Sequence, residues 1–193
     1  MGDPRCVDTQ VTALALEAGA GDRAALTAFI RATQRDVHQF LVHLSGRDEA
    51  EDLAQETYLR AVRSLHRFAG RSSARTWLLS IARRVAADQV RRHIAAPRTT
   101  VPPDWEAAVA GDPAGQRSGF VDGVLLRELV AGLDADRRDA FVLTQVLDLS
   151  YAEAAEVCGC PVGTIRSRVA RAREDLIRAM SETGQPADRA VGP

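Results

Sequence analysis

Apolar residues recur every three or four positions along most of this chain, which is the period of an amphipathic α-helix. The pattern is clearest near the C-terminus, at Ile165, Val169, Ala172 and Leu176. The opposite face of that segment is rich in arginine, and a shorter helical segment from Tyr151 precedes it across a turn at residues 158–161. Two helices joined by a glycine-containing turn predict a helix-turn-helix, whose second helix enters the DNA major groove.

The N-terminal part of the chain has the same helical period. It predicts two helices over residues 11–44, a third over about 49–68 and a fourth over about 76–93. Ser45-Gly46 is typical of a helix end. Asp48 is the predicted N-cap of the third helix, with Glu51 in the matching position of a capping box.

The same spacing predicts which side chains face the core. We expect the third helix to bury Leu53, Tyr58, Ala61, Val62 and Leu65. We expect the fourth to bury Trp77, Leu78, Ile81, Val85 and Val90. In the C-terminal part, Asp134 and Ser150 are predicted N-caps, Glu153 completes a capping box with Ser150, and Gly159 supplies the turn of the helix-turn-helix.

The helical pattern is interrupted between residues 95 and 119, where four prolines and three glycines occur. Such a composition predicts a linker. We therefore expect a tail at 1–10, a helical domain at 11–95, a linker at 96–120, a second domain at 121–181 and a tail at 182–193. Strong helix formers dominate and β-branched runs are nearly absent. The predicted fold class is all-α, with two small helical domains joined by a flexible linker, the C-terminal one a helix-turn-helix.

The net charge of −1 over 193 residues conceals a strong segregation of charge. Residues 60–98 contain ten arginines and one acid, Asp88, whereas five acids lie between residues 48 and 56. Basic patches indicate contact with phosphates better than net charge does. The sequence contains no run of about 18 apolar residues that would predict a membrane span, and the N-terminus has no apolar signal-peptide core. We expect a cytoplasmic protein with no membrane partner.

Catalytic and metal-binding chemistry finds little support in the sequence. The four histidines are scattered, and there is no phosphate-binding glycine loop or nucleophile motif. Cys158 and Cys160 offer too few ligands for zinc, and the three cysteines do not make a disulfide framework. We expect no metal, no cofactor and no enzyme activity, and we interpret one or both turn cysteines as small apolar residues.

Three segments, in order, resemble the bacterial RNA polymerase sigma factors. Residues 52–61, DLAQETYLRA, are similar to the motif that binds core polymerase, and residues 75–88 with Phe68 are similar to the promoter −10 region. Residues 161–173, PVGTIRSRVARAR, are similar to the −35 reader. Two such domains without others resemble the small ECF (extracytoplasmic-function) group. The resemblance covers about residues 11–180 and implies a factor that directs polymerase to promoters and promotes initiation.

The resemblance also implies roles for individual residues. Contact with the β′ clamp helices of core polymerase would be made by Asp52, Gln55 and Glu56. The −10 element would be bound by Arg71, Ser72, Ser73, Arg75, Trp77, Arg83, Arg84 and Arg91. The −35 duplex would be bound by Thr164, Arg166, Ser167, Arg168 and Arg171. Trp77 is either a stacking platform for an unpaired base or a core anchor of its helix, and we favour the core.

The partners that the resemblance implies are core RNA polymerase, through its β′ clamp helices and β subunit, and promoter DNA. Many members of the group are held inactive by an anti-sigma factor, so such a protein is a further candidate partner. A free-standing helix-turn-helix regulator is the alternative hypothesis. It accounts for residues 121–180 but leaves the motifs at 52–61 and 75–88 without a role.

Overall fold

A computed structural model describes residues 4–95 and 127–183, and all regular secondary structure in these ranges is helical. The N-terminal half contains α1 (Pro4–Gly19), α2 (Arg23–Ser45), α3 (Arg47–Ser64), a 3₁₀ turn (Leu65–Arg67) and α4 (Ala74–Ala95). The all-α prediction is confirmed. The predicted linker at 96–120 lies outside the described residues, as do the last ten residues of the C-terminal tail.

The C-terminal half begins with a helical turn at residues 127–131. It continues with α5 (Ala135–Phe141), a π-helical segment (Val142–Val146), α6 (Tyr151–Cys158) and α7 (Val162–Thr183). Helix α7 therefore extends two residues into the predicted tail. None of the helices within the two described ranges is both long and apolar enough to cross a membrane.

Helix α1 begins earlier than the sequence pattern predicts. It starts at Pro4, inside the segment expected to be a tail. Val11 and Ala15 are buried in the core, and the hydroxyl of Thr12 donates to the carbonyl of Asp8 at 2.8 Å. Burial of the later turns anchors the helix, and backbone hydrogen bonding extends it towards the N-terminus.

Helices α2 and α3 are joined by the single residue Gly46. Its φ of 85° lies in the region that favours glycine, and its N–H donates to the carbonyl of Val42 at 3.1 Å. The same residue precedes the first turn of α3, so Asp48 lies within that turn rather than before it. The predicted Asp48 cap is therefore wrong. Asp48 and Glu49 still lie where the helix dipole favours a negative charge.

The core of the N-terminal half lies between α2, α3 and α4, and its largest fully buried side chains include Phe29, Phe40, Leu41, Leu78 and Leu79. Two predicted core residues are exposed instead, Val62 at 44% and Val90 at 50%. The buried residues of α3 are Ala50, Leu53, Thr57 and Ala61, at spacings of three and four, which places Val62 on the flank.

The helix-turn-helix has the predicted local structure. Ser150 and Glu153 form a reciprocal capping box, with the Ser150 hydroxyl accepting from the Glu153 N–H at 3.2 Å. Gly159 takes the left-handed conformation with φ of 65° and ends α6. Asp134 caps α5 through the N–H of Asp136. These features depend on residues close in sequence, which is why the pattern alone predicted them.

The two halves pack against each other. Helix α4 contacts α6, α2 contacts α5 and the π-helical segment, and the buried apolar residues of both halves form one cluster. This contact covers part of α4, the helix expected to bind the −10 element, so it bears directly on the candidate site.

Candidate functional site

The predicted polymerase-binding residues share the outer face of α3. Asp52, Gln55 and Leu59 are exposed and Glu56 is half-buried, which is the stripe that a spacing of three or four residues predicts. The Glu56 carboxylate accepts a hydrogen bond from Nε of Arg60 at 2.6 Å. We call the set Asp52, Gln55, Glu56 and Leu59 the α3 stripe.

A groove of about 1770 Å³ runs beside the α3 stripe. Its lining includes Gln55, Leu59 and Val62 of α3 and Phe141 and Val146 of the C-terminal half. The exposure of Val62 results from this groove. An exposed apolar surface next to the α3 stripe is typical of a site that binds another protein.

The loop before α4 contains three of the residues predicted to bind the −10 element. Arg71 is exposed and Ser72 is half-buried. Ser73 caps α4, because its hydroxyl oxygen accepts from the N–H of Thr76 at 3.1 Å. Ser73 therefore has a structural role that the sequence analysis did not assign.

Trp77 is half-buried and packs against the core. Its ring lies 4.9 Å from the ring of Phe68, centroid to centroid, at an angle of 40°. This is ordinary aromatic pair geometry. The arrangement agrees with the interpretation of Trp77 as the anchor of α4.

The four arginines of α4 that were predicted to bind DNA fall into two groups. Arg84 and Arg91 are exposed; Arg84 donates to the carbonyl of Ser80 at 3.0 Å, and Arg91 pairs with Asp88. Arg75 and Arg83 are partly covered and contact the C-terminal half instead. The Nη2 of Arg75 donates to the carbonyl of Leu147 at 2.6 Å, while its Nε pairs with Asp36 at 2.6 Å.

Arg83 is held by two carboxylates of the C-terminal half. Its Nε lies 2.6 Å from Asp139, which is only 6% exposed, and its Nη2 lies 3.2 Å from Asp136. Burial raises the pKa of Asp139 above its usual value, and the neighbouring Arg83 guanidinium opposes that shift. Removing one partner of such an ion pair is costly, because the other charge is left covered and unpaired.

The predicted −35 residues lie along the first turns of α7. Arg166, Ser167 and Arg171 are exposed and Thr164 is half-buried. Arg168 differs from them, since it pairs with Asp136 and donates to Sγ of Cys160 at 3.6 Å. Asp136 therefore binds one arginine from each predicted DNA-reading helix. We call Arg83, Asp136, Asp139 and Arg168 the inter-domain cluster.

The acidic partners in this contact were missed by sequence reasoning. Asp36, Asp136 and Asp139 each lie on a helix with several other charges, so the helical pattern does not single them out. One signal was present: ten arginines share residues 60–98 with a single acid. Half-buried arginines in such a segment need carboxylates from elsewhere in the chain.

Cys158 lies beside the inter-domain cluster, near Arg83 and Asp139. Burial raises the pKa of its thiol to about 12. At pH 8 the thiolate fraction is then on the order of 10⁻⁴, and the thiolate is the nucleophile. With Cys6 and Cys160 replaced by serine, we expect Cys158 to react with iodoacetamide at least about tenfold more slowly than glutathione.

Mass spectrometry over time measures this reaction. The matched control replaces Cys6 and Cys158 and leaves Cys160, and unfolding in urea should restore the ordinary rate for both variants. Alkylation of folded Cys158 as fast as glutathione would contradict the burial of the thiol.

Comparison with known families assigns both halves of the chain. Residues 29–94 match Sigma-70 region 2 and residues 123–176 match Sigma-70, region 4. The first range contains the α3 stripe and the arginines of α4, and the second contains the helix-turn-helix. A free-standing regulator of the helix-turn-helix type does not account for the first match, so this alternative is not favoured.

Individual relatives extend over most of the chain. The ECF RNA polymerase sigma factor SigC of Mycobacterium tuberculosis is 55% identical over 88% of this chain and 91% of its own length. The RNA polymerase sigma-H factor of Pseudomonas aeruginosa is 32% identical over 83% of this chain and 88% of its own.

A solved relative has the same fold. The sigma factor RpoE of Bartonella quintana, in a co-crystal structure with the anti-sigma factor NepR, is 29% identical with a TM-score of 0.66. The match covers 84% of this chain and 98% of the RpoE chain. From the two family matches and these relatives, the chain belongs to the ECF group of bacterial RNA polymerase sigma factors.

Proposed function

We propose that this chain binds core RNA polymerase, directs it to specific promoters through the −10 and −35 elements, and promotes initiation of transcription. The observation that carries the proposal is the presence in one chain of region 2, with an exposed acidic stripe, and region 4, with a helix-turn-helix. The factor acts as a regulator and does not itself catalyse a reaction. Because its proposed ligand is promoter DNA, we place the factor in the cytoplasm.

The α3 stripe is our candidate for contact with the β′ clamp helices. Carboxylates at Asp52 and Glu56 suit basic partners, while Gln55 and Leu59 add a hydrogen-bonding and an apolar contact beside the groove. Charges at the rim of such an interface steer encounter and set specificity. The β subunit is the second expected contact of the polymerase.

For the −10 element we propose that Arg71, Arg84 and Arg91 contact phosphates, because all three are exposed around the start and outer face of α4. Binding the unpaired non-template strand better than the duplex would shift the equilibrium towards melting. Arg75 and Arg83 become available for DNA only when the two halves separate, since both bind the C-terminal half.

For the −35 element we propose that α7 enters the major groove with its face of Thr164, Arg166, Ser167 and Arg171 towards the DNA. Arg168 joins this face once its bond to Asp136 is broken. An arginine bidentate to guanine discriminates by about 1–3 kcal/mol, whereas an arginine on a phosphate is blind to sequence. The bond between Arg168 and Asp136 lies within the C-terminal half, whereas Arg75 and Arg83 are held across the two halves, so full engagement of the −10 element requires an open arrangement.

An anti-sigma factor is a further partner that we propose. The co-crystal structure of Bartonella quintana RpoE with NepR supports this, because that sigma factor shares the fold over 84% of this chain. The apolar groove between the α3 stripe and the C-terminal half offers an exposed surface for such a partner.

The polymerase contact can be tested by replacing Asp52 and Gln55 with alanine. We expect core affinity to fall about fivefold to thirtyfold, corresponding to about 1–2 kcal/mol lost from an interface rim. Fluorescence titration of labelled protein with core polymerase measures the affinity. Glu17→Ala removes an exposed acid from α1 and serves as the control. Equal affinity of the double variant and the wild type would refute the role of the α3 stripe.

A further inference from the structure

Four side chains of alternating charge connect the α3 stripe with the outer face of α4. Glu56 accepts from Nε of Arg60 at 2.6 Å, and Nη1 of Arg60 donates to Oδ2 of Asp88 at 2.6 Å. Oδ1 of Asp88 accepts from Nη2 of Arg91. Each inner member binds two neighbours through different atoms. The four residues therefore form one continuous network between two helices.

The middle of this network is more enclosed than its basic end. Arg60 and Asp88 side chains are 32% and 30% exposed, whereas Arg91 is 71% exposed. Hydrogen bonds to Asp88 and then Glu56 raise the pKa of Arg60, and the hydrogen bond from Arg60 lowers the pKa of Asp88. Both inner groups are thus held in their charged forms by their neighbours.

The two ends of the network lie on surfaces with different proposed partners. Glu56 belongs to the α3 stripe, and Arg91 belongs to the exposed arginines of α4. We propose that Arg60 and Asp88 are positioning residues that couple the binding of core polymerase to the binding of −10 DNA. This inference rests on the proposed function of both surfaces.

The coupling follows from competition for shared partners. A cation of the polymerase that binds Glu56 takes one acceptor from Arg60. Arg60 then interacts more strongly with Asp88, which neutralises that carboxylate further and weakens its hold on Arg91. Arg91 is released towards a DNA phosphate. By linkage, DNA that binds Arg91 must favour polymerase at Glu56 by the same factor.

The expected size of the effect is modest, because partly exposed ion pairs are individually weak. A contribution of up to about 1 kcal/mol corresponds to a coupling of about twofold to fivefold. Such coupling changes the ratio between the DNA affinity of the free chain and the DNA affinity of the holoenzyme. A purely structural role of the α3–α4 link would instead lower the stability of the chain and leave the ratio of DNA affinities unchanged.

The test compares the DNA dissociation constants of the free full-length chain and of the holoenzyme. The probe is a promoter fragment selected by the holoenzyme in run-off transcription, single-stranded over the −10 element. The coupling factor is the ratio of the two constants. The variants are Asp88→Asn, which removes the central charge, and Arg60→Lys, which keeps the charge but lacks the fork that spans two carboxylates. The control is Arg92→Ala, because Arg92 lies on the same helix and donates a hydrogen bond to Gln89, which is outside the network.

We expect the coupling factor to fall about twofold to fivefold in Asp88→Asn and Arg60→Lys and to stay unchanged in Arg92→Ala. An unchanged factor in the first two variants, or an equal fall in the control, would overturn the proposal. Core affinity without DNA is measured in parallel. If the wild-type chain binds no core polymerase, the proposed function fails; if it binds normally and only the coupling is absent, the network fails alone.

Discussion

Replacing both Asp136 and Asp139 by asparagine is expected to increase the affinity of the free chain for promoter DNA that contains both the −10 and −35 elements by about tenfold to thirtyfold. Asp139 is buried against Arg83, and Asp136 holds both Arg83 and Arg168. Loss of charge-assisted hydrogen bonds of this kind costs about 1.5–3 kcal/mol each. A shift of about 2 kcal/mol against the closed arrangement changes its population about thirtyfold.

The physical reason is that Arg168 and Arg83 currently bind carboxylates where DNA would supply phosphates or bases. In the variant both arginines lose their carboxylate partners, and Arg83 is left half-buried at the contact between the halves. An unpaired arginine at a half-buried position favours separation of the two halves. Fluorescence anisotropy with a labelled promoter duplex measures the affinity, and small-angle scattering measures the separation.

The control must remove two negative charges without touching the contact between the halves. Glu174→Gln with Asp175→Asn does this on α7 itself, and it breaks the Arg137–Asp175 pair at 2.5 Å inside the C-terminal half. Net charge then changes by the same amount in both proteins. An equal gain in DNA affinity for the control, or no gain and no expansion in the Asp136 and Asp139 variant, would contradict the inhibitory role of the cluster.

The second large effect is expected from Arg168→Ala measured in two states. In the holoenzyme we expect −35 affinity to fall by about 1–3 kcal/mol, roughly fivefold to 150-fold, if Arg168 contacts DNA as the resemblance implies. In the free chain the fall should be smaller, because Asp136, fixed there by Arg83 of the N-terminal half, holds Arg168 and limits its contact with DNA.

Arg166→Ala is the matched comparison, since Arg166 is exposed on the same helix and lies outside the inter-domain cluster. Its effect should be similar in the free chain and in the holoenzyme. Binding assays on fork-junction DNA with an intact or a scrambled −35 sequence separate the contribution of the −35 element to the affinity from that of the −10 element. A fall in −10 rather than −35 affinity for Arg168→Ala would contradict the assignment of α7.

Features that depend on neighbouring residues could be predicted from the sequence. The Ser150–Glu153 capping box, the Asp134 cap and the left-handed Gly159 are all local, and the structure confirms them. The exposed stripe of Asp52, Gln55, Glu56 and Leu59 also follows from helical spacing alone. The predicted Asp48 cap failed because Gly46 joins two helices without an intervening residue.

Features that depend on distant residues could not be predicted. Val62 and Val90 fit a helical apolar pattern, yet Val62 borders the groove and Val90 is half exposed. The pairing of Arg83 with Asp139 spans 56 residues of sequence. Which of the arginines would meet a carboxylate and which would stay exposed is decided by the packing of α4 against α6, which no local signal specifies.

Run-off transcription with purified core polymerase and this chain on genomic DNA fragments tests most directly whether the chain directs polymerase to promoters. We expect discrete transcripts that depend on the chain, and their mapped start sites should share one −10 and one −35 sequence. The Asp52 and Gln55 double variant should lose these transcripts at limiting protein concentration. Sequence-specific binding of the isolated chain to DNA, with no affinity for core polymerase and no transcript, would contradict this function.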